Sequence, residues 1–159
     1  MRSTTTLIAG LFAASMAVTP ALAIDLSESV DVAASPADAW AAIADWCSIQ
    51  DWHPVIAACE ASDDGGKIMR TLTTGDGGEL LEELTAKDED AMSFSYTIVE
   101  SPLPIADYAS TLAVTENGDG ATITWSSSYS ANGVSDDEAL EIMTGIYRAG
   151  LDTLKEQLQ

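Results

Sequence analysis

The sequence predicts an α+β domain in which one long C-terminal helix covers an antiparallel sheet of about seven strands. Three observations favour this class. Short segments alternate apolar and polar residues, as half-buried strands do. Turn residues separate those segments at close intervals, which joins consecutive strands as antiparallel neighbours. The last 25 or so residues instead carry apolar residues at helical spacing, so they predict a single amphipathic helix.

The N-terminal part of the domain combines one strand with two short helical segments. Residues 24–34 alternate as a strand does. Ser35 and Pro36 then supply a capping serine and a proline at the first helical position, and residues 37–46 are Ala-rich with apolar residues at helical spacing. Residues 48–54 predict a second short helical turn or loop that ends at Pro54, because proline cannot continue a helix.

Six further strands follow. Their predicted ranges are 55–62, 67–73, 79–86, 92–99, 108–115 and 121–129. Asp76 and Gly77 are a pair favoured in two-residue hairpin turns, so the second and third of these strands should form a hairpin. The strands thus predict a meander with one apolar face.

The C-terminal helix begins with a recognisable cap. Ser135 precedes three acidic residues, and Glu138 stands three positions later, which forms a capping box. An apolar stripe then continues from Leu140 to Leu158 and requires a large apolar partner, which the sheet supplies. Gly150 removes a side chain from this stripe and is expected to widen any cavity beneath it.

The first 23 residues predict a secretory signal peptide. Arg2 precedes an apolar run over residues 7–18, and the tripeptide at 21–23 is an Ala-x-Ala cleavage site. The alternative, a membrane-spanning helix, needs about 20 apolar residues, and Pro20 interrupts this run too early. We therefore expect a domain at residues 24–159 in a periplasmic or secreted location.

The charge of the chain excludes several partners. Six Lys and Arg residues stand against 26 Asp and Glu residues, which gives a formal net charge of −20. A nucleic-acid partner is excluded because its binding requires clustered basic residues, and stable membrane insertion is not expected either. Such a surface repels copies of itself, so the sequence predicts a soluble monomer.

Two cysteines, Cys47 and Cys59, remain to be explained. An oxidising compartment and an even count favour a disulfide between them. The alternative is a redox or nucleophilic thiol, but the sequence has no C-x-x-C motif.

The sequence contains few signals for catalysis and predicts no cofactor and no metal. His53 is the one histidine, which excludes most zinc sites. Neither a phosphate-binding loop, nor a dinucleotide-binding glycine motif, nor a G-x-S-x-G nucleophile motif is present. His53 is a candidate acid or base at a pocket, and the alternative is a structural histidine bonded to a backbone carbonyl.

Arg70 lies in the middle of a predicted strand and has two possible partners. A two-residue turn at Asp76 and Gly77 places Arg70 opposite Glu83, whereas a slip of one residue places Glu82 there. Strand alternation puts Arg70 on the face of Ile68 and Leu72, so an inward Arg–Glu pair could orient a ligand's polar group. The alternative is an exposed pair of little energetic importance.

Several motifs resemble one protein superfamily across the whole of residues 24–159. They are the segment at 35–40, the segment at 51–54 that contains Trp52 and His53, the hairpin from Arg70 to Leu80, Pro104 with Tyr108, and Trp125. The order of elements and these motifs resemble the START-like, or SRPBCC, superfamily, whose fold is also called Bet v 1-like or helix-grip. The likeness is strongest to an exported branch of the polyketide cyclase/dehydrase-like proteins.

The resemblance implies a curved sheet around the C-terminal helix, with a cavity between them for an apolar small molecule. Members carry lipids, sterols, hormones or aromatic polyketides, and some catalyse cyclisation or dehydration. The candidate ligand-binding residues are Trp52, His53, Arg70, Glu82, Glu83, Phe94, Tyr96, Tyr108, Trp125, Met143 and Tyr147. The candidate catalytic residues are His53, Arg70 and Glu83.

Three functions therefore stay open. The first is binding of an apolar, aromatic or lipid-like molecule. The second is a cyclase or dehydratase activity that uses His53, or Arg70 with a glutamate. The third is an accessory role that uses the fold without a ligand, since one fold hosts many functions.

Overall fold

Seven antiparallel strands and three helices make up residues 23–159, the part of the chain that this computed structural model describes. The predicted signal peptide lies outside the described residues, apart from Ala23. In chain order the elements are β1 (Ile24–Val32), α1 (Pro36–Ile43), α2 (Ile49–Trp52), β2 (Ile56–Asp64), β3 (Lys67–Thr74), β4 (Glu79–Asp88), β5 (Ser93–Glu100), β6 (Ile105–Asn117), β7 (Gly120–Ala131) and α3 (Asp136–Gln157).

The sheet is continuous, in the order β1-β7-β6-β5-β4-β3-β2. Strands β2 to β7 follow one another as neighbours, which confirms the predicted meander. β1 pairs with β7 instead, from Ile24 opposite Tyr129 to Val32 opposite Ala121. The two N-terminal strands therefore lie at opposite edges of the sheet, and α1 and α2 connect them across one end.

Helix α3 lies against the concave face of the sheet and closes the core. Ser135 accepts a hydrogen bond from the Glu138 amide at 3.2 Å, as the capping box predicted. The buried stripe includes Met143, Tyr147 and Leu154, none of which is more than 2% exposed. The α+β helix-grip architecture predicted from the sequence is confirmed.

The disulfide between Cys47 and Cys59 is present, as predicted. It joins the segment between α1 and α2 to β2, at the edge of the sheet. The side chain of Gln50 adds a second link, because its Oε1 accepts a hydrogen bond from the Cys59 amide at 3.0 Å.

The predicted register of the β3–β4 hairpin was wrong by one residue. Arg70 lies opposite Glu82, and Glu83 lies opposite Met69. The loop contains three residues rather than two, since the Thr74 amide donates to the Gly78 carbonyl at 2.8 Å. Gly77 takes the left-handed conformation, with φ of 87°, that ends such a three-residue loop.

Strand β6 starts at Ile105, three residues before the predicted start. Ile105 pairs with Ala131, and a bulge follows between Ala106 and Ala109. Asp107 at this bulge adopts a positive φ of 54°. The bulge lets the strand continue through a stretch whose alternation is broken, which explains why the pattern placed the strand start too late.

None of the helices formed by residues 23–159 combines the length and the hydrophobicity that a membrane crossing requires.

Candidate ligand-binding cavity

A cavity of about 550 Å³ lies between the concave face of the sheet and α3. Its volume is in the range of small-molecule sites, about 300–1,000 Å³. Most of its wall is aliphatic and comes from the strands, α2 and α3. The aliphatic lining residues are Ile49, Val55, Ile56, Leu72, Leu80, Ile98, Leu103, Met143 and Ile146.

Residues of three loops line the outer end of the cavity. They belong to the α2–β2 connection, the β3–β4 hairpin and the β5–β6 connection. Among them Val55 is 46% exposed, although it is a large apolar residue. An apolar residue that faces both the cavity and solvent is typical of an entrance for an apolar molecule.

Four hydroxyl groups form a connected cluster at the buried end of the cavity. Tyr108 bonds to Tyr96 at 3.2 Å and to Tyr147 on α3. Tyr147 also contacts Ser110 at 3.3 Å, and Ser110 donates to the Ser126 carbonyl at 2.8 Å. Burial raises the pKa of each of the three tyrosines above the usual value, so all three hydroxyls keep their protons.

Trp125 fixes this cluster from the side of β7. Its indole N–H donates to Ser110 at 3.0 Å and to Tyr96 at 3.1 Å. Its ring stacks on Tyr147, with 4.1 Å between centroids. The cluster therefore links α3 to β5, β6 and β7, and both stacking and hydrogen bonds orient the tyrosine on the helix.

Glu82 places a buried carboxylate on the cavity wall. It is 3% exposed, and its Oε2 accepts a hydrogen bond from Arg70 Nε at 2.6 Å. Burial raises the pKa of the Glu82 carboxyl, and the adjacent Arg70 guanidinium opposes that shift. Arg70 itself lies behind Glu82, where its guanidinium contacts the Trp46 ring at 3.7 Å and donates to the Trp46 carbonyl.

His53 is buried at the wall of the cavity, and both of its ring nitrogens contact the backbone. Nε2 lies 3.1 Å from the Ile146 carbonyl on α3, and the Val55 amide donates to Nδ1 at 3.4 Å. A carbonyl accepts only, so Nε2 carries the proton and Nδ1 accepts. Burial lowers the pKa of His53, and the bond to Ile146 opposes that shift only in part.

The cavity brings together seven of the candidate ligand-binding residues and leaves four outside its lining. The lining includes His53, Glu82, Tyr96, Tyr108, Trp125, Met143 and Tyr147. Outside it are Trp52, Arg70, Glu83 and Phe94. Trp52 packs edge-on against Trp125, and Phe94 packs against Trp46. Glu83 points to the opposite face of the sheet and pairs with Lys67 at 2.8 Å.

Two kinds of site residue were not predicted from the sequence. Leu72 and Leu80 line the cavity opposite each other on β3 and β4, but nothing distinguishes them from ordinary core leucines. Ser110 was also not predicted, although the sequence contains a signal for it. Ser110 stands between Tyr108 and Leu112 at alternate positions of β6, and all three face inward. A serine on such a face needs a hydrogen-bond partner, which the cluster supplies.

Within residues 23–159, no three His, Cys, Asp or Glu side chains are placed to hold a metal ion together.

Comparison with known proteins gives a family and a set of structural relatives. The family model described as "Polyketide cyclase / dehydrase and lipid transport" matches residues 23–159. None of the proteins with curated functions matches the sequence.

Solved structures agree with this assignment. The protein XoxI from Bacillus cereus is 29% identical, with a TM-score of 0.80 over 84% of this chain and 94% of that one. The Zhui aromatase/cyclase from Streptomyces sp. R1128 is 16% identical, with a TM-score of 0.71 over 86% and 94% of the two chains. Ara h 8.0201 is 17% identical, with a TM-score of 0.70 over 86% and 97%.

The last two relatives share the fold alone, since their identity is low. The family model covers every described residue, and the cavity between the sheet and α3 occupies the place that the resemblance implied. The chain belongs to the polyketide cyclase/dehydrase and lipid transport family of the START-like (SRPBCC) superfamily.

Proposed function

We propose that this protein is exported and binds an apolar or aromatic small molecule in the cavity between the sheet and α3. The cavity itself carries this proposal. It is large enough for a ligand, its wall is mostly aliphatic and aromatic, and a few buried polar groups converge at one end. That combination is typical of a small-molecule site.

Two features support export. Residues 1–23 have the three parts of a secretory signal peptide. The disulfide between Cys47 and Cys59 is stable in oxidising compartments and rare in the cytosol.

The geometry favours binding over proton-transfer catalysis. His53 uses both ring nitrogens for backbone contacts, so neither is free to take a proton from a ligand. Arg70 is covered by Trp46 and does not line the cavity. A cyclase or dehydratase activity through these two residues would require the local structure to rearrange.

A variant that fills the cavity tests the binding proposal. Leu80→Trp places a large side chain inside the cavity, and Ile68→Trp makes a comparable change on β3 at a position that is 48% exposed. Naphthol, a small aromatic probe, should bind to the wild type and to Ile68→Trp, with loss of binding in Leu80→Trp. The measurement is isothermal titration calorimetry on variants that circular dichroism shows to be folded. Equal binding by folded Leu80→Trp would place the ligand site elsewhere.

Native mass spectrometry of the protein from its host separates carriage from catalysis. A co-purified molecule that is released unchanged supports carriage, whereas one that is released chemically altered supports an enzyme. Protein that is always empty and binds no apolar probe supports the accessory role.

A further inference from the structure

We propose that the cavity selects an apolar ligand that carries a neutral hydroxyl group, as an alcohol or a phenol does, at its buried end. The inference rests on the proposed binding function and specifies the chemistry of its ligand. It follows from the hydrogen bonds that the side-chain donors of the cavity wall already make within the protein.

The direction of the hydroxyl chain is fixed by its last member. Ser110 has one proton, and it goes to the Ser126 carbonyl, which accepts only. For the remaining contacts to be hydrogen bonds, Tyr147 must donate to Ser110, Tyr108 to Tyr147, and Tyr96 to Tyr108. This is the one arrangement of protons that satisfies all of these contacts, and it leaves no hydroxyl proton for a ligand.

The other side-chain donors of the cavity wall also donate to acceptors within the protein. The Trp125 N–H donates to Tyr96 and Ser110, and the His53 Nε2–H donates to the Ile146 carbonyl. At the entrance, the Thr74 hydroxyl contacts only acceptors of its own hairpin. Every side-chain donor that lines the cavity therefore bonds to the protein itself.

Hydrogen-bond acceptors, in contrast, remain available to a ligand in the cavity. Within the described residues, Glu82 has one hydrogen-bond partner, Arg70, which occupies Oε2. Its second carboxylate oxygen is left to the cavity that Glu82 lines. Oxygen lone pairs of Tyr96 and Tyr108 lie at the same end. The ion pair with Arg70 at 2.6 Å favours the carboxylate form of Glu82 over the protonated form that burial alone would favour, so the buried side chains offer acceptors and no free donors.

These acceptors favour a neutral donor over a charged one. Arg70 already compensates the charge of Glu82, so an ammonium group would bring an unpaired positive charge into a buried site. A carboxylate or an ether would place acceptors against acceptors and leave the second Glu82 oxygen without a donor. A hydroxyl group supplies the missing proton and adds no charge.

A matched set of four probes tests this selection. They are a naphthol, its methyl ether, the corresponding naphthoate and naphthylmethylammonium, which share one apolar skeleton and differ in the head group. Calorimetry at pH 7 should give the naphthol a Kd about tenfold lower than the ether, which is the effect of one hydrogen bond to a charged acceptor. The naphthoate and the ammonium compound should bind more weakly than the naphthol.

A tyrosine variant tests the direction of the chain. Tyr108→Phe removes the acceptor of the Tyr96 proton, which then becomes available to the cavity, so the ether should gain affinity relative to the naphthol. Tyr129→Phe is the matched control. Tyr129 lies beside Tyr108, with 6.1 Å between ring centroids. Among residues 23–159 its hydroxyl has no hydrogen-bond partner, and Tyr129 does not line the cavity. This control should keep the wild-type order of affinities.

The outcomes are distinguishable. If the ether, the naphthoate or the ammonium compound binds the wild type as tightly as the naphthol does, the inference that the ligand carries a hydroxyl group is wrong. The proposed binding function is then unaffected. Failure of all four probes to bind overturns both. The comparison on the wild type does not depend on whether Tyr108→Phe folds.

Discussion

Gly150 illustrates how one residue of α3 positions the cavity wall. A β-carbon built at this position would lie 2.7 Å from His53 Cδ2 and 2.8 Å from Trp52 Cζ3. Real β-carbons essentially never approach other atoms so closely. The expectation that Gly150 widens the cavity was therefore wrong. The glycine instead makes room for the rings of His53 and Trp52. His53 can then reach the Ile146 carbonyl.

Two glycines of the same helix should respond in opposite ways to alanine. Gly150→Ala should lower the free energy of unfolding by about 1–3 kcal/mol, because the overpacking cost exceeds the gain in helix propensity. Gly145 lies on the exposed side of α3 with open space around it, so Gly145→Ala should raise the free energy of unfolding by about 0.5–1 kcal/mol. Urea denaturation measures both. A stabilising Gly150→Ala would mean that the rings move aside easily.

Residue-level prediction succeeded where alternation alone decides the side of the sheet. Arg70 was expected on the inward face with Ile68 and Leu72. Arg70 and Leu72 are each 2% exposed, whereas Ile68, near the start of β3, is 48% exposed. The partner of Arg70 was not determined, because one extra loop residue changes every pairing of a hairpin. The hydroxyl chain from Tyr96 to Ser110 was beyond prediction as well, since it joins residues of two strands and a helix.

At the scale of elements, α2 depends on its covalent and tertiary links. It contains four residues, fewer than a helix needs to be stable by itself. The Cys47–Cys59 bridge attaches its N-terminal side to β2, and His53 caps its other end. The bridge thus holds the segment that carries His53 and the entrance residues beside the sheet.

Replacement of both cysteines should therefore loosen this segment selectively. Cys47→Ala with Cys59→Ala should lower the free energy of unfolding by about 3 kcal/mol, the entropy effect of opening a loop of this size. Hydrogen exchange should speed up most at residues 48–56 and little in β7. Wild-type protein reduced with dithiothreitol provides the control and should match the double variant. Uniform exchange across the sheet would contradict a local role.

The order of the elements was predictable because each carries its own local signal. Caps at Ser35 and Ser135 and turn residues between the strands mark the boundaries. The pairing of β1 with β7 has no such signal, since more than 80 residues separate the two strands and only the closed core requires it.

At the scale of the whole molecule, the acidic side chains far outnumber the basic side chains that could pair with them. Four ion pairs involve the side chains of the described residues, and they use Lys67, Arg70, Lys87 and Arg148. With 26 acidic residues and a net charge of −20, most carboxylates have no cation beside them. Their mutual repulsion is a long-range term that opposes the compact state.

Screening of this repulsion should stabilise the protein. At pH 7 the urea midpoint should rise as sodium chloride increases from about 0.01 M to about 0.15 M, because the screening length falls from about 30 Å to about 8 Å. Near the sequence pI of about 4.1 the net charge vanishes, and the same salt change should then have little effect. Sodium chloride is the appropriate salt, since sulfate would also strengthen apolar burial. A midpoint at pH 7 that stays constant or falls with salt would mean that the carboxylates are spaced widely enough not to repel one another, and that the acidic surface has no effect on stability.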